Sequence, residues 1–186
     1  MIMVVLWIIL GVVLLLVLWG IGVYNRLIAL RNTCDEGFST MDVYMKKRFD
    51  LIPNLVETVK GYASHEKETL ERVIAARQVG LAANTPEDKM ASSNMLSGAL
   101  RQIFALSESY PELKANLNFQ DLQNQLLAVE NDIANSRKYY NAVVKDYNTQ
   151  IQVVPANIVA NMTGFTKRTM FEVDSTEERQ AVKVSF

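Results

Sequence analysis

The sequence predicts an all-α protein: an N-terminal transmembrane helix continuing into an antiparallel bundle of three or four long helices, with a short irregular or β-like C-terminal tail. Three observations predict this class. Residues 2–23 are an apolar run without a charged side chain. Apolar residues then recur every three or four positions, the spacing of helices that pack in a core. Glycine and proline are scarce between residues 25 and 152.

The length and composition of the chain are typical of a single domain that follows an N-terminal membrane anchor. The chain has 186 residues, of which 49% are hydrophobic, so a packed core can form. The 19 basic and 20 acidic residues nearly cancel, and this balance does not favour a nucleic-acid partner. We predict three regions: a transmembrane anchor over 1–24, a helical bundle domain over 25–152 and a tail over 153–186.

The anchor is predicted from the apolar run itself. At about 1.5 Å per residue the run spans roughly 33 Å, enough for the hydrocarbon core of a bilayer. Trp19 and Tyr24 lie where aromatic rings favour the membrane interface. A cleavable signal peptide is the alternative, but it requires a basic segment before the run and a small-x-small cleavage site. No lysine or arginine precedes the run, and Gly20 and Gly22 make a poor site.

Basic residues follow the apolar run and do not precede it. The positive-inside rule therefore places the N-terminus outside and the C-terminal domain in the cytoplasm. The charges that favour this orientation are Arg26, Arg31, Lys46, Lys47 and Arg48. We interpret the last three of these as a solvated helix face, with Lys46 and Lys47 paired to Asp42 and Asp50. A patch that binds lipid, nucleic acid or a partner is the alternative.

The first helix of the bundle is expected to continue from the anchor without a break. Its apolar positions are Leu27, Leu30, Cys34, Phe38, Met41, Met45, Phe49, Ile52, Val56 and Val59. Pro53 lies inside this segment and removes one backbone donor, so a separate helix starting at Pro53 is an alternative. A second alternative is one helix that runs through Gly61 to Leu81, which gives three helices in place of four.

Two shorter helices are predicted next. Gly61 and Ser64 indicate a stop and a new start, and the second helix then extends to Leu81. Residues 82–87 form a turn, with Thr85 as the cap of the next helix and Pro86 at its first position. The third helix is expected over 90–109, and the Tyr110–Pro111 pair begins another connection.

The last long helix shows the most regular pattern. Its apolar seam is Phe119, Leu122, Leu126, Val129, Ile133, Ser136, Tyr140, Val143, Tyr147 and Ile151, which steps by three and four throughout. We expect Asn118 to cap its start. Because the seam is longer than a short helix pair needs, we predict a homo-oligomer. The candidate oligomer or partner contacts on this helix are Leu122, Leu126, Val129, Ile133 and Tyr140.

The tail departs from the helical pattern. Pro155 is expected to open a short helix on which Ile158, Val159 and Met162 share an apolar face that rests on anionic lipid together with Lys167 and Arg168. Residues 171–173 and 182–186 alternate like short strands. The tail either packs back on the bundle or contacts partners. We predict the second, with Phe171, Val184 and Phe186 as candidate contacts.

Residues that carry chemistry are few. His65 lies beside Glu66 and near Glu68, but a metal site needs several convergent ligands and a single histidine supplies too few. Cys34 falls on the apolar stripe, which favours a buried, unreactive thiol. We therefore predict no catalytic residue, metal ligand or cofactor. A metal- or ligand-binding protein or an enzyme that uses His65, Glu66, Glu68 and Asp50 is the alternative, as is a lipid-binding module.

Several stretches resemble the LemA family. They are residues 24–32, 48–63 (RFDLIPNLVETVKGYA), 65–70, 75–77, 130–141 and 155–165. The resemblance implies a single-pass protein of the bacterial inner (cytoplasmic) membrane, with a short outside N-terminus, a cytoplasmic helical domain and no catalytic residues to transfer. It also implies a link to envelope quality control, with a membrane protease or another envelope protein as partner. A non-enzymatic scaffold or adaptor that self-assembles is the function we expect.

Overall fold

The computed structural model describes residues 1–171, and the structural statements below refer to these residues. They form six helices: α1 (Ile2–Lys60), α2 (Lys67–Ala82), α3 (Pro86–Ser107), α4 (Pro111–Lys114), α5 (Leu117–Gln150) and α6 (Ala156–Met162). No strand occurs in this part of the chain, so the predicted all-α class is confirmed. Val184 and Phe186 lie outside the described residues, as does all of the predicted strand pattern except Phe171.

The chain divides into two compact units. The first contains residues 1–38 and 138–170, and the second contains residues 39–137 together with Phe171. Both α1 and α5 contribute residues to each unit. The predicted boundary at residue 152 between bundle and tail therefore does not coincide with this division, because the chain after α5 packs within the first unit.

Helix α1 contains the apolar run and continues without interruption to Lys60. It is the single helix in the described chain that is long and apolar enough to cross a membrane, and its most apolar window is not buried. The alternative of a separate helix starting at Pro53 is wrong, because Pro53 lies inside α1. A helix running through Gly61 is also wrong, because a turn separates Lys60 from α2.

Pro53 is accommodated by a side chain from α2. A proline at position 53 leaves the carbonyl of Phe49, four residues earlier, without its helical donor. The Nε–H of Arg77 donates a hydrogen bond to this carbonyl at 2.8 Å. Gly80 lies one turn further along α2, under the Phe49 ring, where a Cβ atom would collide with the ring. The α1–α2 contact thus supplies both a substitute donor and the space for Phe49.

The predicted apolar seams of α1 and α5 are confirmed, because all but three of their positions are buried. On α1, Leu30 and Phe38 are half-buried and the other predicted positions are buried. On α5 the buried residue after Tyr140 is Val144, and the predicted Val143 is only half-buried. A step of four followed by a step of three to Tyr147 keeps the seam on one face of a helix with 3.6 residues per turn.

The helix starts are corrected in two places. Thr85 caps α3 as predicted, since its Oγ1 accepts a hydrogen bond from the Asp88 N–H at 3.1 Å. For α5 the predicted cap at Asn118 is wrong: Asn116 Oδ1 accepts from the Phe119 N–H at 3.0 Å. Leu117 already begins that helix, so residue 118 lies within its first turn. Helix α2 begins at Lys67, after Ser64.

Candidate functional site

A groove in the first unit lies beside the end of the apolar run. It has a volume of about 410 Å³ and is mostly apolar, within the range of small-molecule sites. Residues of α1, the end of α5 and the turn into α6 line it: Trp19, Gly22, Val23, Arg26, Gln150, Val153, Val154, Pro155 and Ala156. Arg26 is the first charged residue after the apolar run, so the groove has one basic edge.

Exposed apolar side chains occur in the wall of this groove and on the helix α6 that follows it. Val154 is 79% exposed, Ile158 55% and Met162 83%, whereas Ala156 and Ala160 form the buried face of α6. Of the predicted apolar face, Ile158 and Met162 therefore point away from the protein, whereas Val159 is half-buried. Three large apolar side chains this exposed within nine consecutive residues favour a surface that contacts more than water.

The chain after α6 is held along α5 by hydrogen bonds between side chains of α5 and the backbone of residues 166–169. The hydroxyl of Tyr147 donates to the Thr166 carbonyl at 2.8 Å, and the hydroxyl of Tyr140 donates to the Thr169 carbonyl at 3.1 Å. Asn148 makes two bonds to Arg168: its amide donates to the carbonyl at 2.8 Å, and its Oδ1 accepts from the N–H at 2.9 Å. These side chains fix residues 166–169 at the surface of the first unit.

Cys34 lies in the core of the same unit. It is fully buried, as predicted, and burial raises the pKa of its thiol, with the Arg168 guanidinium opposing this effect. Arg168 itself pairs with Asp35 at 2.6 Å. Burial lowers the pKa of Arg168, but the hydrogen bond and the charge of Asp35, with smaller contributions from Cys34 and Tyr140, together outweigh burial, and the net shift of the pKa is upward. A protonated thiol under a closed surface is unreactive.

The second unit contains a buried arginine cluster. Arg48 is 0% exposed, and its guanidinium donates to Glu130 at 2.6 Å, to Ser97 Oγ at 2.8 Å and to Ser93 Oγ at 2.7 Å. Burial lowers the pKa of Arg48, and the Glu130 carboxylate opposes that shift. The prediction that Arg48 belongs to a solvated face is wrong. The pairing of Lys46 with Asp50, at 2.7 Å, is confirmed. The predicted pairing of Asp42 with Lys46 or Lys47 is wrong, because Asp42 pairs with Lys89 of α3 at 2.6 Å.

A smaller apolar groove of about 190 Å³ lies beside this cluster on the second unit. Leu127, which is 50% exposed, is part of its wall. The remaining lining residues come from α3 and α5: Ser97, Leu100, Arg101, Phe104, Leu126 and Glu130. The groove is therefore apolar along most of its length and polar where it meets the arginine cluster.

The residues considered for metal binding do not converge. His65 is exposed, Glu66 accepts a hydrogen bond from the Tyr110 hydroxyl at 3.0 Å, and Glu68 pairs with Arg72 along α2. The bond to Glu66 raises the pKa of Tyr110. In residues 1–171 no group of three or more His, Cys, Asp or Glu side chains is placed to hold a metal ion.

The nominated oligomer or partner contacts are interior residues where the structure describes them. The exposed fractions are 9% for Leu122, 2% for Leu126, 1% for Val129, 2% for Ile133, 3% for Tyr140 and 3% for Phe171. Arg137 stacks on the Phe171 ring at 4.0 Å, so this first residue of the predicted strand segment packs on the second unit. Contact of these side chains with another chain stays a prediction.

Comparison with known proteins gives one family and several relatives. The LemA family matches residues 37–186. Protein LemA of Metamycoplasma hominis is 22% identical over 161 residues, which cover 84% of this chain and 72% of that protein. Magnetosome protein MamQ 2 of Paramagnetospirillum magneticum is 23% identical over 175 residues, 80% of this chain but only 64% of its own length. Magnetosome protein MamQ of Magnetospirillum gryphiswaldense is 22% identical over 170 residues, 77% of this chain and 62% of its own.

The chain thus spans less than two thirds of the magnetosome proteins that it matches. None of these names denotes an enzymatic activity. Together with the apolar N-terminal helix, they suggest a membrane protein.

Proposed function

The chain belongs to the LemA family, and on that premise we propose that it is a membrane-anchored, non-enzymatic scaffold or adaptor that self-assembles at the bacterial inner membrane. Its domain faces the cytoplasm, and its partners are envelope proteins such as a membrane protease. The orientation follows from the basic residues after the apolar run. The link to envelope quality control follows from the family resemblance.

One observation carries this proposal: packing starts directly where the apolar run stops. Val23 is the last residue of the run, and Leu27, one helical turn later, is already 0% exposed. Helix α1 continues from the apolar run into the packed part of the first unit without a linker. A domain held directly at the bilayer suits a protein that presents surfaces to membrane partners, whereas an enzyme that searches for soluble substrates gains nothing from this constraint.

The polar groups of the second unit support a structural role. The guanidinium of Arg48 binds Ser93, Ser97 and Glu130 of its own unit, so its hydrogen bonds hold helices together. The carboxylates near His65 are engaged with Tyr110 and Arg72. We therefore expect His65→Ala to leave cellular function unchanged and purified protein to contain substoichiometric metal by elemental analysis. A stoichiometric transition metal lost in that variant contradicts the proposal.

Self-association is the second half of the proposal. Anchors in one membrane raise the effective concentration of neighbouring chains. The seam residues of α5 are mostly buried inside the chain and offer little surface to a second copy. We therefore propose that a second copy contacts the smaller groove of the second unit, which Leu127 lines together with Leu126 and Phe104.

Light scattering of the detergent-solubilised protein, corrected for bound detergent, tests this contact. We expect an oligomer for the parent chain and a monomer for Leu127→Glu. Leu81→Glu is the matched control, because Leu81 is 53% exposed but lies on α2, and it should leave the oligomer intact. A monomeric parent chain rejects self-assembly, and loss of the oligomer in both variants rejects this surface.

A further inference from the structure

We propose that the groove beside the end of the apolar run binds one anionic phospholipid, with the headgroup phosphate at Arg26 and Gln150 and an acyl chain along Trp19, Val23 and Val154. The inference rests on the membrane anchoring proposed above and adds a specific ligand to it.

The residues of α1 that line the groove determine the depth at which it lies in the bilayer. Trp19, Gly22 and Val23 belong to the run that spans the hydrocarbon core, and Arg26 is one turn beyond its end. When the run spans a bilayer, these four residues lie at the boundary between acyl chains and headgroups. The residues that face them across the groove, Gln150 and 153–156, lie at the same depth. Lipid is the molecule that fills an open apolar groove at this level.

The groove matches the two ends of a phospholipid. Its polar edge carries the guanidinium of Arg26 and the amide of Gln150, and neither side chain forms an ion pair or hydrogen bond with the described residues 1–171. The rest of the lining is aliphatic or aromatic apart from the open surface at Gly22. The negative phosphate of a phospholipid would pair with the polar edge, and its acyl chain would cover the apolar lining.

The exposed side chains of α6 favour lipid over a second protein chain. Ile158 and Met162 project from the face of α6 opposite its buried alanines. A short amphipathic helix that lies in the interface buries such side chains among acyl chains. The bilayer therefore covers α6 and the adjacent groove at once, and no protein partner is needed to remove this apolar surface from water.

Fluorescence quenching of Trp19 by brominated lipid tests the site. Trp7→Phe leaves Trp19 as the single tryptophan in a chain that contains two. This full-length protein is reconstituted in phosphatidylcholine nanodiscs that contain a fixed mole fraction of brominated phosphatidylglycerol or brominated phosphatidylcholine. We expect the apparent affinity for phosphatidylglycerol to exceed that for phosphatidylcholine about fivefold, the size of effect that one basic side chain gives near an anionic surface.

Matched variants separate the two halves of the site. Arg26→Gln should abolish the preference for phosphatidylglycerol and Arg26→Lys should keep it, while Lys67→Gln, which removes an exposed charge from α2, should have no effect. Gly22→Leu should weaken quenching by both lipids because its side chain fills the groove. Gly11→Leu is its control, since at both glycines an added Cβ atom would meet open space. Circular dichroism verifies that each variant is folded.

Three results overturn the proposal, and they are distinguishable. Equal quenching by the two lipids in the parent protein means that Trp19 is in a bilayer but the groove has no anionic site. If Arg26→Gln retains the preference for phosphatidylglycerol, a group other than Arg26 binds the headgroup. No quenching by either lipid means that Trp19 is not in the bilayer at all, and this result alone also removes the anchor on which the proposed function depends.

Discussion

At the residue scale, Arg48 shows how one buried charge organises the second unit. Its neighbours Lys46 and Lys47 are exposed, whereas its own guanidinium bonds to Ser93 and Ser97 of α3 and to Glu130 of α5. Burial opposes the charged form, but an arginine stays protonated in proteins, so its donors depend on partners within the unit. Both terminal nitrogens have such partners, whereas the Nε atom is buried without a hydrogen-bond partner among residues 1–171. Three helices are thereby tied to one side chain.

Arg48→Ala should destabilise the folded protein strongly. The substitution leaves a cavity and removes the partner of Glu130, whose side chain is 42% exposed. We expect a loss of about 3 kcal/mol, the lower end of the range for breaking a buried ion pair and truncating a large side chain, because solvent can reach the carboxylate that remains. The control is Lys46→Ala, which breaks the exposed pair with Asp50 and should cost less than about 1 kcal/mol. Thermal unfolding in detergent measures both, and equal effects contradict the structural role of Arg48.

Cys34 provides a second test at this scale, through pH. Its pKa is raised from the ordinary value of 9.0 by burial, so the native state holds the thiol proton more tightly than the unfolded state does. The contribution of this thiol to the free energy of unfolding is therefore fully present below pH 9 and is lost as the pH rises above 9. We expect the melting temperature to fall above pH 9, and to fall less steeply in Cys34→Ala. Identical slopes would show that the thiol titrates alike in both states.

At the element scale, Pro53 and Arg77 explain how α1 runs unbroken through a proline. The carbonyl of Phe49 loses its helical donor and receives the Arg77 Nε–H from α2 instead. Helix α1 therefore depends on a tertiary contact at this point, because a charged donor from a neighbouring helix replaces a local backbone bond. Pro53 and Arg77 form a coupled pair even though 24 positions separate them in the sequence.

A double-mutant cycle tests this coupling. Arg77→Met keeps the aliphatic packing and removes the donor, and we expect it to cost about 1–3 kcal/mol when Pro53 is present. In the Pro53→Ala background, residue 53 supplies its own N–H to the Phe49 carbonyl, so the cost of Arg77→Met should fall by about 1 kcal/mol. Urea unfolding of the four proteins gives the coupling energy. Additive effects would show that the arginine does not replace the missing donor.

The helices and the seams were predictable from the sequence because both follow from local periodicity. Thr85 with Pro86 is a local signal, and it was confirmed. The prediction of Asn118 as the cap of α5 was wrong because Asn116, two residues earlier, has the same side chain. The choice between the two asparagines depends on where α5 begins. The roles of Arg48 and Arg77 were not predictable, since each binds atoms far away in the chain. A basic residue directly beside the seam position Phe49 was the only local sign of the arginine cluster.

At the scale of the whole molecule, the chain combines one apolar anchor with helices whose interior side chains are used for packing. The groove at residues 19–26 and 150–156 was only partly anticipated. Periodicity indicated an apolar face on α6, and the structure adds that Trp19 and Arg26 line a groove with the turn that precedes this helix. Such a site is formed by residues from opposite ends of the sequence, and a local pattern contains no information about their meeting.

The orientation of the chain in the membrane is the last prediction. Arg26, Arg31 and the basic residues at 46–48 follow the apolar run, so the positive-inside rule places the helical domain in the cytoplasm. In a Cys34→Ala background, single cysteines at two exposed positions report the two sides: Ile2→Cys at the N-terminal end of the apolar run and Glu112→Cys in α4. A membrane-impermeant maleimide should label Ile2→Cys in intact spheroplasts and Glu112→Cys only in inverted vesicles.

The opposite labelling pattern would place the domain outside the cytoplasm. The groove would then lie in the outer leaflet of the inner membrane, because it shares a helix with the anchor. Its anionic lipid would be drawn from that leaflet, and the partners would be periplasmic. The preference of the groove for an anionic headgroup should be unchanged, since Arg26 remains at the end of the apolar run in either orientation. Topology and lipid selectivity are thus separable measurements on the same chain.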